Sequence, residues 1–271
     1  MNGALIGSMA VLVIIGAANG VIGGLIGICG IAGFLLPMLY TGALGYSVDQ
    51  ALAYSFLAFL VSGCIGAWQY RREGNLDIPL SVKLGAGSAI GAVAGVALQS
   101  MIEKETAKAI LYVVVLFSGI SILFRMWKEK KSAGQEEKKS EKNLTENIGF
   151  LLLLGMTTGA VCALSGAVCA LSGAGGPVLV MPLLVVCGVS ARTAVGVALF
   201  DSVFIAVPSC VGYLARIDWK ESVVLLFLIA ITHGIGVWVG SRFAGKIPVQ
   251  GLKRFIAIFS VGISLYMLFV A

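Results

Sequence analysis

Charge is what this chain lacks. No Asp, Glu, Lys or Arg stands between residues 2 and 48, nor between 147 and 191. Charged residues make up 12% of the 271, against about 25% in a soluble domain. Hydrophobic residues make up 59%, and the mean hydropathy is +1.00. A helix crosses a bilayer with about 20 apolar residues. These runs therefore exclude a soluble globular protein and define an all-α, polytopic membrane protein.

Other absences narrow the chemistry. The chain has one histidine, His233, and six cysteines, Cys29, Cys64, Cys162, Cys169, Cys187 and Cys210, all in apolar segments with no C-x-x-C spacing. That pattern excludes a zinc site or a disulfide framework and reads as small hydrophobes packed in the interior. No H-E-x-x-H, G-x-S-x-G or Walker lysine occurs, so no enzyme chemistry and no cofactor are expected. The start has no basic n-region and its apolar run outlasts a signal peptide, so it reads as a first span. The net charge of +6 sits largely in short loops beside spans, as the positive-inside rule requires, and not in a nucleic-acid surface.

What the chain does have is glycine and a repeat. Five segments fill residues 1–127: Gly3 to Gly27, Gly30 to Leu44, Ser47 to Tyr70, Pro79 to Ile102 and Thr106 to Trp127. The polar turn Arg71 to Asp77 separates the third from the fourth. Residues 128–147 form a lysine- and glutamate-rich linker with no apolar face to bury, expected on the cytoplasmic side. Residues 148–271 repeat the pattern: Ile148 to Ser172, Gly175 to Gly188, Ser190 to Leu214, Trp219 to Phe243 and Pro248 to Ala271. Pro37 aligns with Pro182, Ser47 with Ser190, Tyr70 with Tyr213, Asp77 with Asp218, and Gly91 and Gly95 with Gly236 and Gly240.

Two homologous halves of 8–10 helices in all follow, with both termini outside and the linker inside if every segment crosses. Five crossings per half make the repeats inverted, as in secondary transporters. Segments two and seven are short and broken. If they re-enter instead of crossing, the repeats become parallel.

Each half carries a glycine cluster leading to a proline: Gly27-Ile28-Cys29-Gly30 through Pro37, and Ser172-Gly173-Ala174-Gly175-Gly176-Pro177 through Pro182. Such backbone survives at membrane depth only where protein buries it or a cavity wets it. Helix N-termini at Gly30 and at Gly175-Gly176-Pro177 would offer N–H groups and about half a positive charge to an anion. Close packing of small residues is the alternative reading. Upstream, Gly-Ala-Val-Cys-Ala-Leu-Ser occurs twice in tandem, placing Ser165 and Ser172 near one helix face. These hydroxyls either contact a substrate or bond back to their own helix. Asn19 lies in the matching region of the first half.

Two further residues stand out. Asp201 is an acid in mid-segment, a functional candidate by default: it could couple a proton, pair with Arg192 or Lys83, or accept structural hydrogen bonds. His233 could titrate near neutrality or make a structural contact. Gln69, Gln99, Ser55, Ser62 and Ser202 are weaker candidates for a polar lining.

At these residues the chain resembles the TauE/SafE family of sulfite exporters, which carries a motif near G-x-G-G-G-x-x-x-x-P in each half. Gly173-Ala174-Gly175-Gly176-Pro177 through Pro182 departs from it only at Pro177, and the first copy keeps Gly30 and Pro37. The resemblance spans essentially the whole chain. It implies a multi-pass protein that moves sulfur-containing oxyanions such as sulfite or organosulfonates across the cytoplasmic membrane, and the repeat adds the expectation of alternating access. The substrate contacts would be Asn19, Gly30, Pro37, Ser165, Ser172, Gly173, Gly175, Gly176, Pro177 and Pro182, with Asp201 and His233 as coupling groups. The partners expected are the small anion, the lipid bilayer and a coupling proton, with no nucleic acid, and a homo-oligomer stays open. A channel-like anion pore and a thiol-based redox or assembly factor are the competing readings.

Overall fold

A computed structural model describes residues 3–29, 32–33, 35–99, 189–243 and 249–269, with isolated positions between 101 and 184. Among the described residues every regular element is helical. In order they are α1 (Gly3–Cys29), α2 (Leu35–Met38), a π-helical turn (Leu39–Ala43), α3 (Val48–Arg72), α4 (Ile78–Gln99), α5 (Ala191–Leu214), α6 (Trp219–Phe243) and α7 (Val249–Phe269). Among the described residues four stretches are long and apolar enough to cross a membrane: Val48–Arg72, Ile78–Ala97, Arg192–Leu214 and Ser222–Phe243. The outward faces are apolar. On α6, Val224, Phe227, Ile231 and Ile235 recur at helical spacing and are each about 60% or more exposed, a stripe that lipid would cover.

Local chemistry sets the helix ends. Ser47 caps α3 in a capping box: its Oγ accepts from the Gln50 N–H at 3.3 Å, while Gln50 Oε1 accepts from the Ser47 N–H at 3.1 Å. Ser190 caps α5 without the reciprocal bond: its Oγ accepts from the Thr193 N–H at 3.2 Å. The Asp77 carboxylate takes the Leu80 N–H at 3.0 Å, where α4 begins. At the other end of α3, the Asn75 N–H returns to Tyr70 O at 2.8 Å and the Gly74 N–H to Arg71 O at 3.1 Å. This closing pattern needs a left-handed residue, which Gly74 supplies at φ 72°. The polar turn is therefore shorter than its sequence suggests: Arg71 and Arg72 belong to α3.

Segment two is a broken helix. Pro37 has no N–H to give, and the chain turns through α2 directly into a π-helical turn, where the Leu44 N–H reaches Leu39 O at 3.1 Å. Thr41 Oγ1 donates to the Pro37 carbonyl at 2.7 Å. Such turns are frequent at functional sites.

The helix contacts have definite directions. Along α1 and α6, Gly16 lies by Leu228 and Thr232, and Gly27 by Val237 and Ser241, so the two run parallel. Tyr54 meets Ser222, and Val61 and Ile65 meet Gly234, so α3 also runs parallel to α6. Between α4 and α5, Val96 packs on Gly212, Arg216 reaches Gln99, and Leu80 and Leu84 cluster with Ala194, Val197 and Ala198. That pair is parallel too. In contrast, Phe56 stacks on Tyr213 at 5.5 Å, while Gly66 meets Leu199 and Tyr70 meets Gly196. Helices α3 and α5 are thus antiparallel.

Candidate functional site

Two buried polar groups lie inside this helix array, one between α1 and α6 and the other between α4 and α5. The first is built on Asn19, fully buried in α1. Its Nδ2 donates to the Ile15 carbonyl at 2.9 Å, so the amide oxygen is turned outward from its own helix. That oxygen accepts from the Tyr40 hydroxyl at 2.8 Å, which ties the π-helical turn to α1. The Asn19 backbone carbonyl meets His233 Nδ1, from α6, at 3.2 Å. A carbonyl only accepts, so the contact is a hydrogen bond when Nδ1 carries a proton, and in the neutral ring Nε2 is then the acceptor. Nε2 is buried and, among the described residues, has no hydrogen-bond partner.

Glycine makes this approach feasible. A methyl group at Gly23 would come within 2.5 Å of His233 O, and one at Gly236 or Gly240 would overlap the carbonyl oxygen of Gly20 or Gly24. The two backbones touch directly. Around the network, the rings of Tyr40, Tyr46 and Tyr54 pack edge to face, with centroids 5.4–6.3 Å apart. The Tyr54 hydroxyl lies 3.1 Å from Ser222 Oγ.

The second group is Asp201 and Ser88. Asp201 is fully buried midway along α5. Ser88, on α4 and equally buried, is the polar side chain that bears on its carboxyl. Ser88 is near enough to bear on the carboxyl, but among the described residues neither carboxyl oxygen nor the Ser88 hydroxyl closes a hydrogen bond of good geometry. The sequence allowed Asp201 an ion pair with Arg192 or Lys83, or structural hydrogen bonds. Among the described residues no ion pair to either cation and no closed hydrogen bond is made: Arg192 lies in the exposed first turn of α5, more than two turns before Asp201, and Lys83 lies on α4 more than a turn before Ser88. An unpaired buried acid is expensive, so this site is poised for a proton or a cation. Further along α5, Pro208 has no N–H to return to Phe204 O.

Of the predicted contacts, Asn19 and His233 come together, and Pro37 lies buried in α2, three residues before Tyr40. Asp201 stands at a different helix contact from His233. Gly30, Ser165, Ser172, Gly173, Gly175, Gly176, Pro177 and Pro182 lie outside the described residues. Sequence reasoning missed Tyr40, whose signal was its place just beyond Pro37, and Ser88. Ser55, Ser62 and Ser202 bond back to Ala51 O, Phe59 O and Ala198 O of their own helices at 2.7, 3.1 and 2.9 Å. Of the cysteines, Cys210 is buried as expected, whereas Cys64 is exposed on α3.

Apolar spans, lipid-facing stripes and polar groups held at helix contacts define a multi-pass helical membrane protein. The sequence agrees with a particular lineage: residues 12–267 match the family described as sulfite exporter TauE/SafE, and the chain belongs to that family. It is 25% identical over 236 residues to the probable membrane transporter protein YdhB of Bacillus subtilis (strain 168), a match covering 86% of this chain and 89% of that one. No solved structure matches. The protein is accordingly a membrane transporter.

Proposed function

We propose that this protein is a secondary transporter that moves a small sulfur-containing anion, sulfite or an organosulfonate, across the cytoplasmic membrane by alternating access. The observation that carries this reading is the direction of the helix contacts. Segments three and eight, which the sequence repeat makes equivalent, are α3 and α5, and they run antiparallel. The α3–α6 and α5–α4 contacts are equivalent under the same repeat, and both are parallel. This is the relation expected of inverted repeats, 1–127 and 148–271, joined by the linker 128–147. It favours ten crossings with broken second and seventh segments over two re-entrant ones, since re-entry would make α3 and α5 parallel.

In this reading the anion is held where the broken segments meet, by backbone N–H groups and by the Asn19–Tyr40–His233 network. The His233 Nε2 lone pair would accept a proton carried by the anion or by water. Asp201, with Ser88, is the coupling group: its proton would leave only when the α4–α5 contact opens to water.

The test is flux into liposomes holding the purified protein, screened with sulfite, thiosulfate, sulfate, taurine, isethionate and sulfoacetate. Saturable uptake of one sulfur anion, accelerated by the same anion inside, is the expected result. Uptake linear in concentration would instead indicate a pore. Transport that persists after all six cysteines are replaced by Ser or Ala would remove thiol chemistry from the account.

A further inference from the structure

Four charged residues at the ends of α3 and α5 form a pattern that the transport site does not use. Asp49 is the second residue after the cap Ser47, and Arg192 is the second after the cap Ser190. Glu73 follows Ser47 by the same number of residues as Arg216 follows Ser190. The repeat therefore equates Asp49 with Arg192 and Glu73 with Arg216, and both positions have exchanged sign between the halves. Because α3 and α5 are antiparallel, Asp49 and Arg216 share one mouth of the helix array. Arg192 and Glu73 share the other, roughly 36 Å away along the helix. Gly196, one turn beyond Arg192, lies against Asn75 O and Tyr70 and fixes that second pairing in space.

The two mouths differ in this structure. Arg216 Nη1 stands 3.9 Å from Asp49 Oδ1, and both side chains are 28% exposed. The same guanidinium donates to Gln99 Oε1 at 2.6 Å and to Val96 O at 2.8 Å, and it lies over the Tyr213 ring at 5.3 Å. One side chain thus clamps α3, α4 and α5 together. At the opposite mouth Glu73 and Arg192 are both exposed, and among the described residues no ion pair joins them.

We infer that Asp49–Arg216 and Glu73–Arg192 are reciprocal gates at the two mouths, each made when the other is broken, and that this structure has the Asp49–Arg216 gate closed. The inference rests on the alternating-access reading and adds the groups that bias it. An inverted repeat exchanges the conformations of its halves as access alternates, so a contact made at one mouth has its equivalent made at the other. The sign exchange preserves attraction in both pairs. Partly exposed ion pairs shift an equilibrium by roughly a factor of five at most. That suffices to bias access and leaves both conformations reachable, which a transporter needs.

The test is disulfide cross-linking in the full-length protein, purified with its six native cysteines replaced. Asp49→Cys with Arg216→Cys should cross-link readily, and Glu73→Cys with Arg192→Cys only slowly. Adding Asp49→Asn to the second pair loosens the opposite mouth and should raise its cross-linking rate, by up to roughly fivefold. Arg216→Gln should raise it as well, so the result does not hang on one variant. A rate that neither substitution changes, or a Glu73–Arg192 pair that never cross-links, would overturn the inference. No substrate is present in this assay. Failure of sulfite flux therefore leaves it standing, and a flat cross-linking response leaves sulfite flux standing.

Discussion

The α1–α6 and α4–α5 contacts are both made by parallel helices, and they are built in opposite ways. Counting from the glycine pairs Gly91/Gly236 and Gly95/Gly240, His233 of the first contact falls at the position of Ser88 in the second. Between α1 and α6 backbone lies on backbone, with Gly236 and Gly240 against the carbonyls of Gly20 and Gly24. The polar groups there are tied through Asn19 to three elements. Between α4 and α5 side chains lie on glycine, Phe204 over Gly85 and Val96 over Gly212. Their polar pair, Asp201 and Ser88, closes no hydrogen bond of good geometry among the described residues. Backbone contacts have no rotamers with which to readjust, whereas side-chain contacts do. The first contact is suited to hold the array together and the second to change.

That difference can be broken or sharpened by substitution. The largest effect is expected for Gly236→Val, whose new atoms would overlap Gly20 O on a backbone that cannot yield. Its cost should reach or exceed the top of the roughly 1–3 kcal/mol range for overpacking, read as loss of folded protein in a thermal melt. Tyr40→Phe should come next. It leaves the buried Asn19 Oδ1 without its donor, for roughly 1–3 kcal/mol, and should lower the melting temperature with little change in expression.

Gly212→Ala should cost less, near the low end of the roughly 1–3 kcal/mol range, because its methyl meets a Val96 methyl, which is stiff but yields more readily than backbone. If it proves as damaging as Gly236→Val, the contrast between the two contacts fails. Asp201→Asn should move stability least, since the amide keeps the shape of an acid that closes no hydrogen bond of good geometry among the described residues. It should nonetheless abolish uptake driven by a pH gradient while equilibrium exchange continues. Unchanged pH dependence would remove Asp201 from coupling.

Much of this was legible in the sequence, for identifiable reasons. Charge-free runs announced the spans, and the serines at Ser47 and Ser190 are the caps of α3 and α5. Asp201 stood out because an acid in an apolar run has few bland explanations. Its neighbour Ser88 did not, because serines in apolar helices usually bond back to their own carbonyls, as Ser55, Ser62 and Ser202 do. Of the three roles the sequence left open for Asp201, pairing with Arg192 or Lys83 is not seen among the described residues, because position along a helix does not say which face it turns to its neighbour. The charge exchange among Asp49, Arg192, Glu73 and Arg216 was visible in the repeat, but it acquired meaning only from the antiparallel crossing of α3 and α5. The glycine cluster from Gly173 to Pro182 lies outside the described residues, and its place at an anion site is an expectation from sequence.

The central claim is that the two halves work as a carrier for a sulfur anion. Counterflow tests it most directly, with radiolabelled sulfite outside proteoliposomes and unlabelled sulfite sealed within. A carrier predicts transient accumulation of label above its equilibrium level, saturating with outside concentration. Label that only rises to equilibrium, at a rate linear in concentration and indifferent to the sulfite inside, would contradict the account.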